Sequence, residues 1–127
     1  MPRRAQSVLL IGHGAIARTV MAALRDDPQF TIAAILVRPE RLREAAADDS
    51  IRRVSSIEAA GPVDCVLECA GHSAVREHVP TALRRGLDTI LVSVGSLSEP
   101  GLPEVLEAAA LEGNARSEEH TSELQSH

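Results

Sequence analysis

The segment VLLIGHGAIA, residues 8–17, joins an apolar, strand-like run directly to a glycine turn. The turn follows the G-x-G-x-x-A pattern of dinucleotide-binding sites between a strand and a helix. We expect Gly12 to permit the tight turn, Gly14 to let the backbone approach phosphates, and the small Ala17 to let the helix pack on its strand. The start of such a helix also presents N–H groups and a positive dipole end to an anion. The turn therefore predicts cofactor contacts from Gly12, His13, Gly14, Ala15 and Ile16.

Glycine turns between strands and helices also occur without a nucleotide, so the rest of the chain has to support this interpretation. Strand-like segments are residues 7–11, 31–37, 64–68 and 89–94, with a weak one ending at Val54, and helical patterns cover residues 16–24, 72–85 and 103–111. The strands are apolar throughout, which indicates a parallel sheet covered on both faces. We predict an α/β fold with a doubly wound, mostly parallel, Rossmann-like sheet that is incomplete and has five strands. Because Pro80 lacks an N–H, we expect helix 72–85 to be two segments meeting there.

Composition limits the classes of partner. The chain has 127 residues, 44% of them hydrophobic and 24% charged, as is usual for one globular domain. Its formal net charge of −5 argues against a nucleic-acid surface. There is no signal-peptide pattern and no apolar run near the roughly 20 residues of a membrane span, so we expect a cytoplasmic protein without nucleic-acid or membrane partners. Cys65 and Cys69 are too few for a disulfide framework and lack the further ligands of a zinc site, so we expect no metal.

The end of the second predicted strand bears on the choice of cofactor. In NAD sites an Asp or Glu about 20 residues after the glycines holds the adenosine ribose hydroxyls. The chain reads Leu36-Val37-Arg38-Pro39 there, and the Arg38 guanidinium is able to pair with a 2′-phosphate. We therefore expect the cofactor to be NAD or NADP, with Arg38 as a contact. The alternative is that Arg38 is a solvated residue at the strand end.

The segment after the fourth predicted strand lies at the carboxyl edge of the sheet, where ligands bind in open α/β folds. It reads Glu68-Cys69-Ala70-Gly71-His72, and its small residues would let the backbone pass close to the nicotinamide ribose. We expect cofactor contacts from Cys69, Ala70, Gly71 and His72. Structural alternatives are that Glu68 caps or pairs locally and that Cys69 is a small buried residue without an activating partner.

The last stretch, RSEEHTSELQSH at residues 116–127, differs abruptly from the rest. It matches the frame translation of a common sequencing adapter, and it offers nothing resembling the sixth strand that the pattern calls for. We interpret residues 1–115 as a truncated NAD(P)-binding domain and residues 116–127 as a non-native tail, disordered or loosely helical. A natural polar tail is the alternative.

The chain resembles the cofactor domain of the L-aspartate dehydrogenase family. The motifs that carry the resemblance are IGHGAIA at residues 11–17, LVRPE at 36–40, ECAGHSAVREHVP at 68–80 and SVGSLSEPGL at 93–102. Ala17 departs from the third glycine that the family more often has. The resemblance implies NAD(P)-dependent, reversible oxidative deamination of L-aspartate through iminoaspartate to oxaloacetate and ammonia, with a role in NAD biosynthesis.

In that family the catalytic histidine and the substrate-binding residues lie in a second domain, so we assign no catalytic residue here. We expect the chain alone to be inactive, and the full-length enzyme to bind L-aspartate and to form a homo-oligomer. Two alternatives stay open. One is a fragment of a homoserine-dehydrogenase-like or dihydrodipicolinate-reductase-like oxidoreductase. The other is a non-catalytic module that senses NAD(H).

Overall fold

The computed structural model describes residues 5–12, 14–43, 51–92, 101–115 and 117–119. Its strands are β1 (Gln6–Ile11), β2 (Phe30–Leu36), β3 (Arg53–Val54), β4 (Cys65–Glu68), β5 (Asp88–Leu91) and β6 (Ser117–Glu119). Its α-helices are α1 (Ala15–Arg25), α2 (His72–Arg84) and α3 (Leu102–Gly113), and short 3-10 helices cover Pro39–Arg41 and Glu58–Ala60. None of the described helices has the length and apolar character needed to cross a membrane.

The strands form one parallel sheet in the order β3-β2-β1-β4-β5-β6. This order proceeds outward from β1 and β4 in opposite directions, so the crevice at their carboxyl ends is the topological switch point of the fold. The predicted doubly wound, parallel, Rossmann-like sheet is confirmed, and β1 to β5 are its five predicted strands.

The second part of the central strand β1 is apolar because helices cover it on both faces. Its residues 8–11 are each exposed by 2% or less. Leu10 packs on one face with Ala17 of α1, and Leu9 packs on the other face in a cluster that includes Ala82 of α2. Neither face of residues 8–11 meets water, so hydrophobic residues occupy all four positions instead of alternating with polar ones.

Helices α2 and α3 pack together beside β5. Their shared cluster of buried residues contains Val75, Val79, Leu83, Leu91, Leu106 and Ala109. Close approach of the two helices depends on Gly113, since a Cβ built there would overlap the carbonyl oxygen of Leu83. Only glycine leaves room for the end of α3 against α2.

Helix α2 continues through Pro80, so the prediction of two segments is wrong. Proline removes one backbone hydrogen bond of the helix ladder and crowds the preceding turn. Pro80 itself is buried, and Val79 and Ala82 beside it are fully buried in the clusters against α3 and the sheet. Burial on both sides of Pro80 holds the helix axis together at the cost of one bond.

The short strand β6 is an addition to the five predicted strands. Thr89, Ile90 and Leu91 of β5 pair in parallel with Ser117–Glu119. The expectation of a disordered or loosely helical tail is therefore wrong for these three residues. The edge of β5 presents unpaired backbone N–H and C=O groups, which pair with another strand whatever its side chains are. Helix α3 returns the chain to that edge. The other residues of the predicted tail, 116 and 120–127, lie outside the described part of the chain.

Candidate functional site

Gly12 follows directly after β1 and packs against the loop after β4. Its φ of +113° belongs to a backbone region that favours glycine. Its N–H donates to the Leu36 carbonyl oxygen at 2.9 Å. A Cβ built on Gly12 would lie 3.0 Å from the Cβ of Ala70. Both the conformation of Gly12 and its contact with Ala70 therefore require glycine, whether or not a ligand is bound.

Gly14 is in the opposite situation. It is the N-cap residue of α1, with an extended φ of −88°, and a Cβ built on it would meet no atom of the described residues within 4 Å. The fold itself therefore gives no reason for glycine at this position. Gly14 provides no side-chain cap for α1, and the first turn of the helix has no acidic residue. The positive end of the α1 dipole thus faces an open space bordered by bare backbone.

A cavity of about 310 Å³ opens beside the glycine turn. It lies between the carboxyl ends of β1 and β2 and the first two turns of α2. Its lining residues are Ile11, Gly12, Gly14, Leu36, Val37, Arg38, Arg41, Ala70, Ser73, Ala74, Glu77 and His78. The β1–β2 half of a Rossmann sheet holds one mononucleotide of a dinucleotide, and a cavity of this size suits such a ligand.

The predicted contacts fall into three groups. Gly12, Gly14, Arg38 and Ala70 line the cavity. Ala15 and Ile16 form the exposed start of α1, and Cys69 and Gly71 belong to the loop after β4 without lining the cavity. His13 and the side chain of His72 lie outside what the structure describes.

Four polar residues that line the cavity were not predicted from the sequence, three on the α2 side and one on the β2 side. Ser73, Glu77 and His78 come from α2, and Arg41 comes from the 3-10 helix after β2. A signal was present, since Ser73 and Glu77 are four residues apart and share one face of a helix. The sequence did not indicate that this face turns toward the end of β2.

The cavity has two arginines on its β2 side and a glutamate beside a histidine on its α2 side. Arg38 and Arg41 are exposed on the β2 side. On α2, the His78 Nε2 atom lies 3.7 Å from a carboxylate oxygen of Glu77, and the His78 side chain is 16% exposed. Burial lowers the pKa of His78, an effect that the negative charges of Glu77 and Glu58 oppose. The imidazole is therefore neutral near pH 7, and the arginines supply the positive charge of the cavity.

The loop after β4 is held by a buried carboxylate. Oε2 of Glu68 accepts the N–H of Ala70 at 2.8 Å and the N–H of Gly71 at 2.7 Å. This geometry supports the interpretation of Glu68 as a local cap. Burial, followed by the charge of Glu68, raises the pKa of the Cys69 thiol to about 12. Cys69 is thus a buried thiol without nucleophilic character near neutral pH.

The two cysteines are free thiols. Among the described residues, no cluster of three or more His, Cys, Asp or Glu side chains is placed to hold a metal ion.

A parallel sheet of this order, with a glycine turn and a ligand-sized cavity at its switch point, defines a Rossmann-type dinucleotide-binding domain. Residues 12–118 match the family described as homoserine dehydrogenase, NAD binding domain, and the chain belongs to this family.

Several relatives with curated names are L-aspartate dehydrogenases, which confirms the resemblance seen in the sequence. That of Ralstonia pickettii is 44% identical over 86% of this chain and 43% of its own length. That of Pseudomonas aeruginosa is 42% identical over 88% of this chain and 44% of its own length. The crystal structure of aspartate dehydrogenase from Thermotoga maritima has the same fold, with a TM-score of 0.68 at 20% identity over 91% of this chain and 46% of that one. The chain spans less than half the length of these proteins.

The two glycines of the turn should respond differently to the same substitution. Gly12→Ala forces a side chain into a positive φ and against Ala70, so we expect it to lower the free energy of unfolding by about 1–3 kcal/mol. The new Cβ in Gly14→Ala meets no atom in the part of the chain that the structure describes, so the variant should keep its melting temperature while binding NADPH about tenfold more weakly. Thermal unfolding and NADPH fluorescence titration measure the two effects. Equal losses of stability in both variants would contradict this division.

The two thiols should also differ in reactivity. Burial raises the pKa of both, but Cys69 is only 8% exposed whereas Cys65 is partly exposed. At pH 8.5 we expect iodoacetamide to label Cys65 first, and urea to make the two rates similar. Mass spectrometry of the labelled peptides measures this order. Faster labelling of Cys69 than of Cys65 in the folded chain would contradict the prediction.

The raised pKa of Cys69 also makes stability depend on pH. The folded chain holds this proton more tightly than the unfolded chain does. The stabilising contribution is therefore complete below the ordinary pKa of 9.0 and is lost as the pH rises through about 12.

Proposed function

We propose that residues 1–115 are the cofactor-binding domain of an L-aspartate dehydrogenase, which oxidises L-aspartate through iminoaspartate to oxaloacetate and ammonia with NAD or NADP. The observation that carries the binding function is Gly14, whose missing side chain leaves open space at the start of α1 without serving the fold. The choice of aspartate is supported by the identity of 44% to the enzyme of Ralstonia pickettii. The two free thiols fit our further proposal that the protein works in the cytoplasm.

The described residues fit a dinucleotide. The start of α1 and the backbone of Gly14 suit the pyrophosphate, because no acidic residue of the first turn competes for the dipole. Arg38 and Arg41 in the cavity suit the adenosine side, and the loop of Ala70 and Gly71 borders the path toward the nicotinamide side. When bound, the nicotinamide ring supplies the acceptor for a hydride.

The basic wall supports acceptance of NADP alongside NAD. Among the described residues that line the cavity at the end of β2, Arg38 and Arg41 carry charge and none is a carboxylate. An Asp or Glu in contact with the ribose would repel a 2′-phosphate, whereas a guanidinium forms charge-assisted hydrogen bonds with it.

Replacing Arg38 should separate the two cofactors. We expect Arg38→Asp to weaken NADP binding by about 10- to 100-fold, because a charge-assisted contact becomes a repulsive one. NAD binding should change by less than about threefold, since a carboxylate there is able to accept a ribose hydroxyl. Isothermal titration with both cofactors measures the ratio.

Arg43→Asp is the matched control for this experiment. Arg43 is exposed and lies two residues beyond Arg41, but it does not line the cavity. The Arg43→Asp variant changes the net charge by the same amount but leaves the Arg38 contact with the cofactor in place. If Arg38→Asp weakened both cofactors equally, Arg38 would not read the 2′ position.

Hydride transfer needs the nicotinamide and the substrate held together between two walls. We place the second wall, with the substrate-binding and catalytic residues, in the part of the relatives that this chain does not span. The titratable groups described near the site do not suggest a catalyst, since the pKa of Cys69 is raised to about 12 and His78 lines the α2 side of the cavity, across from the end of β2.

The purified chain should therefore bind NADP without using it. We expect no aspartate-dependent formation of NADPH, followed by absorbance at 340 nm, under conditions where titration shows the cofactor bound. The enzyme of Ralstonia pickettii serves as the positive control. Clear turnover by the chain would contradict the placement of the catalytic residues elsewhere.

A homoserine-dehydrogenase-like enzyme is a second candidate, because the matching family is described by that name. The coding sequence past codon 115 in the source genome separates the two, since the substrate domain carries the residues that distinguish them.

A further inference from the structure

Glu68 is unusual among the described residues. It is the one charged side chain that is fully buried, at 0% exposure. Removing a carboxylate from water is costly unless hydrogen bonds replace its hydration. An apolar residue at the end of β4 would fill this space without that cost. The carboxylate therefore calls for a reason beyond packing.

The contacts of Glu68 supply the reason. One oxygen, Oε2, accepts the N–H groups of both Ala70 and Gly71, which are the residues that lead from β4 into α2. Gly71, with a φ of +124°, is the N-cap residue of α2, and as a glycine it brings no capping side chain of its own. The backbone of Glu68 is itself fixed, since its carbonyl oxygen accepts the N–H of Val92 at 2.9 Å. A rigid strand end thus holds the loop through two short bonds.

The loop held in this way forms one side of the cofactor site. Ala70 lines the cavity and contacts Gly12, on which a Cβ would lie 3.0 Å from that of Ala70. Gly12 in turn leads into the start of α1. The carboxylate of Glu68 thereby sets the gap between the glycine turn and the loop after β4.

The charge of Glu68 also distinguishes the two helix starts at this edge of the sheet. The carboxylate lies beside the start of α2, where it meets the positive end of that helix dipole. The first turn of α1 has no acidic residue. The positive end of α1 is therefore left for the anion of a ligand.

We propose that Glu68 is a positioning residue for the dinucleotide site, acting through Ala70 and Gly71 to fix the gap in which the cofactor lies. This inference rests on the proposed binding function. It adds to that function a buried carboxylate that touches no ligand and that organises the backbone before binding.

Substitution tests this role. At a temperature where circular dichroism shows each variant folded, we expect Glu68→Ala to weaken NADPH binding by about tenfold or more, because two amides lose their acceptor. Glu68→Gln keeps an oxygen that accepts both amides and should remain within about threefold of the original affinity. Thr89→Val is the matched control, since Thr89 is the other buried polar residue among those described, exposed by 1%, and its hydroxyl donates to the Leu87 carbonyl oxygen away from the site. It should lower stability without changing the affinity.

Amide hydrogen exchange of the unaltered chain provides a measurement that does not depend on a variant folding. Without cofactor, the N–H groups of Ala70 and Gly71 should be protected as strongly as those of β4. Exchange at the rate of an open loop would overturn the proposal, as would a folded Glu68→Ala variant with the original affinity. If the unaltered chain bound neither NAD nor NADP, the proposed function itself would fail. Normal binding with an unaffected Glu68→Ala variant would remove the role of Glu68 alone.

Discussion

Strand β1 pairs in parallel with β2 on one side and β4 on the other. Parallel pairing brings the carboxyl ends of all three strands to one edge of the sheet, and the chain leaves each strand there toward a helix or a loop. The glycine turn, the arginines after β2 and the loop after β4 share a site for this reason, although they are far apart in the sequence. The helices that pack on both faces of β1 hold the strand in place at that edge.

Contacts that depend on local sequence were predictable. The apolar run before Gly12 identified β1, and the small residues after it identified the turn and the packing of Ala17, which is fully buried. Contacts between separate elements were not predictable in the same way. Ser73 and Glu77 line the cavity because the first turns of α2 lie across it from the carboxyl end of β2, which depends on the strand order and not on the residues themselves.

Two differences from prediction show packing and topology overriding local preference. Pro80 normally interrupts a helix, yet burial on both sides keeps α2 continuous. Residues 117–119 carry little apolar character, yet they pair with the edge of β5, because a parallel ladder is formed by backbone groups. Neither outcome follows from the propensity of the residues concerned.

The two glycines of the turn have different diagnostic value. Gly12 is required by its positive φ and by Ala70, so a descendant of this domain that stopped binding nucleotides would still need it to fold. Gly14 has no such requirement, so it would be free to acquire a side chain once the ligand was lost. In a newly sequenced domain of this kind, the second glycine therefore reports a retained cofactor, while the first reports only a retained fold.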